Sequence, residues 1–193
     1  MVISSSNNFS KTSSDVIRIR SSDTINLKRF TQNGEIQIYQ SSYRGSYSSI
    51  IRDSLRNAAL GRKVLLVQFM KGGVKQGVAN AVKLCGNLTW VRSSQSLDQY
   101  DPNVIENNKN LKESIQASTS ELWNFCKKEL LSGENDQIIL DEIFLAIKMK
   151  IIDKDDLIST LKNRFISGDV ILTGTDIPKD LLLMANQITQ LRS

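Results

Sequence analysis

The stretch Glu35-Ile-Gln-Ile-Tyr-Gln40, running on into Ser41-Ser-Tyr-Arg-Gly-Ser-Tyr-Ser48, decides the fold. Its first six residues alternate polar and apolar, the pattern of a strand with one buried face. From about position 47 to position 60 the apolar period lengthens to that of an amphipathic helix. Between the two lies a Ser-rich bend carrying a cation at Arg44 and a glycine at Gly45. A strand that bends directly into a helix is a frame for holding phosphate groups, because backbone N–H groups converge on the anion and the helix N-terminus adds partial positive charge. The full pattern, G-x-x-x-x-G-K-[ST], also needs a lysine and a magnesium-binding hydroxyl. Here Ser46 stands at the lysine position and Tyr47 at the hydroxyl position, with Ser48 offering a hydroxyl one place later. Taken alone, the segment reads as an ordinary Ser-rich turn, and Arg44 as a solvated side chain as readily as an anion ligand.

Working outward, strand-like and helix-like segments take turns. Gly61 is placed to end the first helix in a left-handed cap, and Lys63-Val-Leu-Leu-Val-Gln-Phe69 reads as a strand covered on both faces. Asn87-Leu-Thr-Trp-Val91 is a third strand, and positions 93–103 form a long polar loop. Leu111, Ile115, Leu122, Cys126 and Leu130 share one face of a long helix. After it come the strand 137–141, a short helix over 143–149, a helix over 154–165, the strand 169–173, a helix opening at Pro178 and a last strand over 188–192. Alternation of this kind predicts an α/β fold of three layers, a mostly parallel sheet with helices on both faces and right-handed crossovers. The loops at 40–48, 69–77, 141–144 and 173–176 then converge beyond the carboxyl ends of the strands, where such sheets bind ligands.

Positions 1–32 are rich in Ser and Asn and poor in acids, the composition of a leader that does not order by itself, although Val16-Ile-Arg-Ile-Arg20 could add an edge strand. Residues 33–193 are expected to form a single domain, a length suited to one core. Five basic and two acidic residues fall within positions 1–30 of a chain whose formal charge is +5, so the remainder carries only +2. That balance, with no basic cluster interleaved with aromatics, points away from nucleic acid. No apolar run reaches the roughly 18 residues a membrane helix needs, and a cytoplasmic protein without membrane contact is expected. Cys85 and Cys126 form no C-x-x-C pair and are expected to be buried free thiols. The absence of histidine removes the usual zinc ligand and the usual triad base.

Three further segments could carry chemistry. In Gln137-Ile-Ile-Leu-Asp-Glu142 a buried strand ends in two carboxylates, Asp141 and Glu142, suited to water-mediated magnesium but equally to a turn or helix cap. Gln68-Phe-Met-Lys-Gly-Gly73 leaves a buried strand with Lys71 beside Gly72, suited to an anion or simply a solvated loop. Thr173-Gly174 is one more strand-to-loop exit, with Asp176 placed to cap the helix at Pro178.

In this order, the elements resemble the P-loop type of ATP:corrinoid (cob(I)alamin) adenosyltransferase over residues 35–191. The closest segments are Gly61-Arg-Lys-Val-Leu-Leu-Val-Gln-Phe-Met-Lys-Gly72, like G-K-K-V-x-V-V-Q-F-x-K-G; Ile138-Ile-Leu-Asp-Glu-Ile143, like V-V-L-D-E-L; and Val170-Ile-Leu-Thr-Gly174 with Pro178, Leu181, Ala185 and Leu191. The resemblance implies a P-loop NTPase-like fold and transfer of the 5'-deoxyadenosyl group of ATP to a reduced corrinoid, as a step of cobalamin biosynthesis. It implies ATP lying across Ser41, Ser42, Arg44, Gly45, Ser46, Tyr47 and Ser48, with Lys71 and Gly72 in a second loop and Thr173 and Gly174 at a third. Magnesium (Mg2+) would lie near Asp141 and Glu142 and the corrinoid over the carboxyl edge; a homodimer is compatible with it. The departures fall on the loop, where only Gly45 and a conservative Arg44 survive of T-G-x-G-K-G-K-T-T, and on Gly77-Val78, where the family carries Gly-Glu. These departures keep a second expectation open, a non-catalytic member that binds or regulates and has lost ATP chemistry.

Overall fold

Apolar side chains at consecutive positions, which face both sides of the sheet at once, make the central strands of this protein. In the computed structural model, which describes residues 33–44, 48–71, 77–95 and 107–191, seven strands form one sheet. They are β1 (Ile36–Ser41), β2 (Val64–Gln68), β3 (Val82–Leu84), β4 (Leu88–Arg92), β5 (Gln137–Asp141), β6 (Asp169–Gly174) and β7 (Gln187–Leu191). Their order is β3-β4-β2-β5-β6-β1-β7, and every neighbouring pair is parallel except β3 with β4. The helices described are α1 (Ser48–Ala59), α2 (Lys109–Ser132), α3 (Ile143–Lys148), α4 (Lys154–Asn163) and α5 (Lys179–Met184). The expected leader and the strand at 16–20 lie outside the described residues.

Parity along the strands sorts the core into two layers. Leu65, Val67, Ile138, Leu140, Val170 and Leu172 pack in one apolar cluster with Ile115, Leu122, Trp123, Cys126 and Leu130 of α2 and with α3 to α5. The intervening residues Val64, Leu66, Ile139 and Ile171 pack in the other, with Leu88 of β4 and Ile50 and Ala58 of α1. All five residues of β2 and all five of β5 are buried, as strands covered on both faces require. The chain thus leaves β1 through α1 on one face and returns from β4 to β5 through α2 on the other. This change of face opens a crevice at the carboxyl ends of the strands.

Local signals fix the helix ends. Gly61 is left-handed (φ 94°) just beyond α1. Asn108 caps α2, its side chain accepting from the Leu111 N–H, and Gly133 (φ 72°) ends it. Among the described residues no helix is long and apolar enough to cross a membrane.

Two expectations need correction. Residues 82–84 form an antiparallel edge strand that the sequence reading lacked, joined to β4 by a turn in which Cys85 (φ 51°) and Gly86 (φ 75°) are both left-handed. That turn also makes Cys85 exposed, whereas Cys126 is buried under α2; both thiols are free.

Candidate functional site

Asp141 is the last residue of β5, Gln68 lies beside it at the end of β2, and Arg92 lies beside Gln68 at the end of β4. By strand parity these three share the face of Leu66, Leu88 and Ile139, the face that α1 covers. Asp141 is almost fully buried (1% exposed). Its Oδ2 accepts from the Gln68 side-chain amide at 2.7 Å and from the Lys71 ammonium at 3.1 Å, and its Oδ1 accepts from the Thr173 hydroxyl at 2.7 Å. The Thr173 oxygen in turn accepts from the Glu142 backbone N–H at 2.9 Å. The strand-end carboxylate is therefore held from β2, from the segment after β2 and from β6 at once.

The next residue, Glu142, adopts a left-handed backbone (φ 62°, ψ 25°). This conformation is unfavourable for a side chain with a Cβ and persists only where the surroundings enforce it. It sends the Glu142 carboxylate to Arg44, whose Nε donates to Oε1 at 3.2 Å and whose Nη2 donates to Oε2 at 2.7 Å. Nη2 also donates to the Met70 carbonyl at 2.9 Å. Arg44 thus ties the bend after β1 to the ends of β2 and β5, although β6 separates β1 from β5 in the sheet.

Of the residues singled out from sequence, Arg44, Lys71, Asp141, Glu142 and Thr173 come together in one ion-paired group. Gly174 follows at the end of β6, where an added Cβ would lie 2.7 Å from Phe144, so glycine lets the α3 aromatic close over the strand exit. Ser41 and Ser42 line an adjoining open hollow of about 460 Å³ with Gln40, Thr175, Asp176 and Gln190. Ser48 opens α1 and is exposed. Gly45, Ser46, Tyr47 and Gly72 lie outside the described residues.

The sequence reading missed Gln68 and Arg92 as part of the group. The Gln68 side-chain oxygen accepts from the Trp90 indole N–H and from Arg92 Nε, both at 2.9 Å, and the Arg92 guanidinium lies 4.2 Å from the Trp90 ring centre. With its oxygen used twice, the Gln68 amide can only present its NH2 to Asp141.

Arg44 and Lys71 neutralise the two carboxylates, and both are cations of a kind suited to phosphate. The donor set also fits magnesium of the kind shared between protein and phosphate, which takes one or two carboxylates and leaves its other positions to phosphate and water. Among the described residues no group of three or more His, Cys, Asp or Glu side chains offers an all-protein cage. Asp141 and Glu142 would hold such an ion only as Lys71 and Arg44 leave them.

Residues 32–193 match the sequence model of the family described as ATP:corrinoid adenosyltransferase BtuR/CobO/CobP. Over 169 residues the chain is 24% identical to the corrinoid adenosyltransferase of Escherichia coli strain K12, a match covering 83% of this chain and 78% of that one. It is 22% identical, over the same shares, to the corrinoid adenosyltransferase CobA of Salmonella typhimurium strain LT2.

Proposed function

We propose that this chain, which belongs to the ATP:corrinoid adenosyltransferase family, transfers the 5'-deoxyadenosyl group of ATP to a reduced corrinoid at the carboxyl edge of its sheet. One observation supports this reading above the others: Arg44 and Lys71, from two different loops, converge on the buried strand-end pair Asp141 and Glu142. In the reaction the reduced corrinoid's cobalt attacks the 5'-carbon of ATP and triphosphate leaves with the bonding electrons. The substrate supplies the nucleophile, so the protein needs no base, in keeping with a chain that has no histidine. Its work is to hold the two substrates in line and to stabilise the charge that gathers on the departing triphosphate.

Arg44 and Lys71 carry the second task, because the loop lacks the usual lysine. Thr173 and Gln68 fix the Asp141 carboxylate, so it does not follow Lys71 when the ammonium turns to phosphate. Magnesium, when bound at Asp141 and Glu142, would supply further neutralisation of the triphosphate.

A second reading rests on the loop itself. Ser46 and Tyr47 replace a lysine and a metal-binding hydroxyl, and each loss in a phosphate site weakens charge-assisted contacts that are among the strongest available. On that reading the protein is a binding or regulatory member without turnover. Calorimetry with ATP, with and without magnesium, followed by an assay for cobalt–carbon bond formation on reduced cobalamin, separates the two. Micromolar binding with turnover supports the transferase. Binding without turnover supports the second reading, and neither binding nor turnover at millimolar ATP ends the first.

A further inference from the structure

We infer that Arg92 is a third cation of the anion site, one that moves positive charge from the serine-bearing bend to the end of β4 and contacts the outer phosphates of a nucleoside triphosphate. The inference rests on the reading that the crevice takes ATP, and names a residue which that reading does not use.

Asp141, Gln68 and Arg92 stand in one row across β5, β2 and β4, on the face that α1 covers. Hydrogen bonds join the row end to end, from Arg92 Nε to the Gln68 oxygen at 2.9 Å and from the Gln68 amide to Asp141 at 2.7 Å. Arg92 therefore continues the line of the acid pair towards the sheet edge, at the same carboxyl rim as Lys71.

Arg92 is half-buried and its guanidinium lies over the Trp90 ring, whose own N–H is fixed on Gln68. The guanidinium is stacked on one side and bonded through Nε, and among the described residues its two terminal amino groups make no hydrogen bond. Among the described residues no carboxylate pairs with Arg92, whereas Arg44 and Lys71 each have one. A cation stacked on an indole at the carboxyl rim, with no carboxylate paired to it among the described residues, is pre-organised for a phosphate. Among the described residues Arg44 and Lys71 balance Glu142 and Asp141, so Arg92 gives that group a net positive charge.

The test is titration calorimetry with ATP, adenosine and inorganic tripolyphosphate on the full chain, Arg92→Met and Arg92→Lys. Methionine keeps an unbranched apolar stem on Trp90 and removes the charge, and circular dichroism checks that each variant is folded. The expected result is a loss of about tenfold to a hundredfold in ATP and tripolyphosphate affinity in Arg92→Met, partial recovery in Arg92→Lys, and little change for adenosine. If the parent binds ATP and Arg92→Met binds it equally well, the inference fails and the proposed function stands. Arg92-dependent binding of tripolyphosphate without binding of ATP upholds the inference and removes the nucleotide reading. Binding of neither anion by the parent overturns both.

Discussion

Arg44 holds Glu142 through two nitrogens, at 3.2 and 2.7 Å, and the carboxylate it holds is almost wholly buried (3% exposed) while the guanidinium is about one third exposed (32%). The pair is asymmetric in what its loss would do. Removing the arginine leaves a buried charge without a partner, whereas removing the acid leaves a cation that can reach water. Arg44→Ala is therefore expected to destabilise the fold by about 3 kcal/mol, and adding Glu142→Gln to it should recover part of that loss. Urea unfolding of the two single variants and the double variant measures the coupling. Strict additivity would show that the pair contributes nothing to stability.

Much of the fold was legible because strands covered on both faces are written as unbroken apolar runs, as at positions 64–67 and 138–140. The edge strand β3 was not. Its three residues are exposed or half-exposed, and its turn uses Cys85-Gly86 where Asn-Gly would have signalled a hairpin. The site was legible in its parts and not in its pairing. Arg44 and Glu142 are 98 positions apart, and Lys71 and Asp141 are 70 apart, so nothing local records which cation meets which acid. Arg92 was lost by a single residue, since the strand was read as ending at Val91 and the loop as starting at position 93, which left Arg92 out of the row beside Gln68.

Gly174 is needed for space rather than for backbone freedom. A Cβ there would lie 2.7 Å from both Cβ and Cδ2 of Phe144, a side chain that is itself buried. Gly174→Ala is expected to cost about 2 kcal/mol through forced movement of α3 or of the aromatic ring. The midpoint of chemical unfolding reads this directly. An unchanged midpoint in Gly174→Ala would mean that α3 yields freely.

The two thiols should differ in reactivity. Burial pushes the Cys126 thiol far up, with Glu129 nearby adding to the effect, and the side chain has no exposed surface. Cys85 sits exposed on the hairpin turn. An aromatic disulfide reagent at pH 8 is expected to label one thiol in the folded protein and both in denaturant, with Cys126 reacting only through unfolding. Rapid labelling of both in the folded protein would contradict the packing of α2 against the sheet.

Burial of Asp156 works against its charged form, but the Trp123 indole N–H at 2.7 Å and the Lys127 ammonium at 2.9 Å outweigh it and hold the carboxyl below its ordinary range. A carboxyl lowered in the folded state adds stability above its unfolded pKa, roughly 4, and loses it as pH falls through the lower folded value. The side chain is 40% exposed, so the contribution is small, under about 1 kcal/mol. Asp156→Asn keeps an acceptor for Trp123 and removes only the charge. Its Tm should lie below the parent's at pH 6, and the gap should close as pH is lowered through about 4 towards 2. A gap that stays constant across that window would mean that the charge opposite Lys127 is not what Asp156 contributes where α2 meets α4.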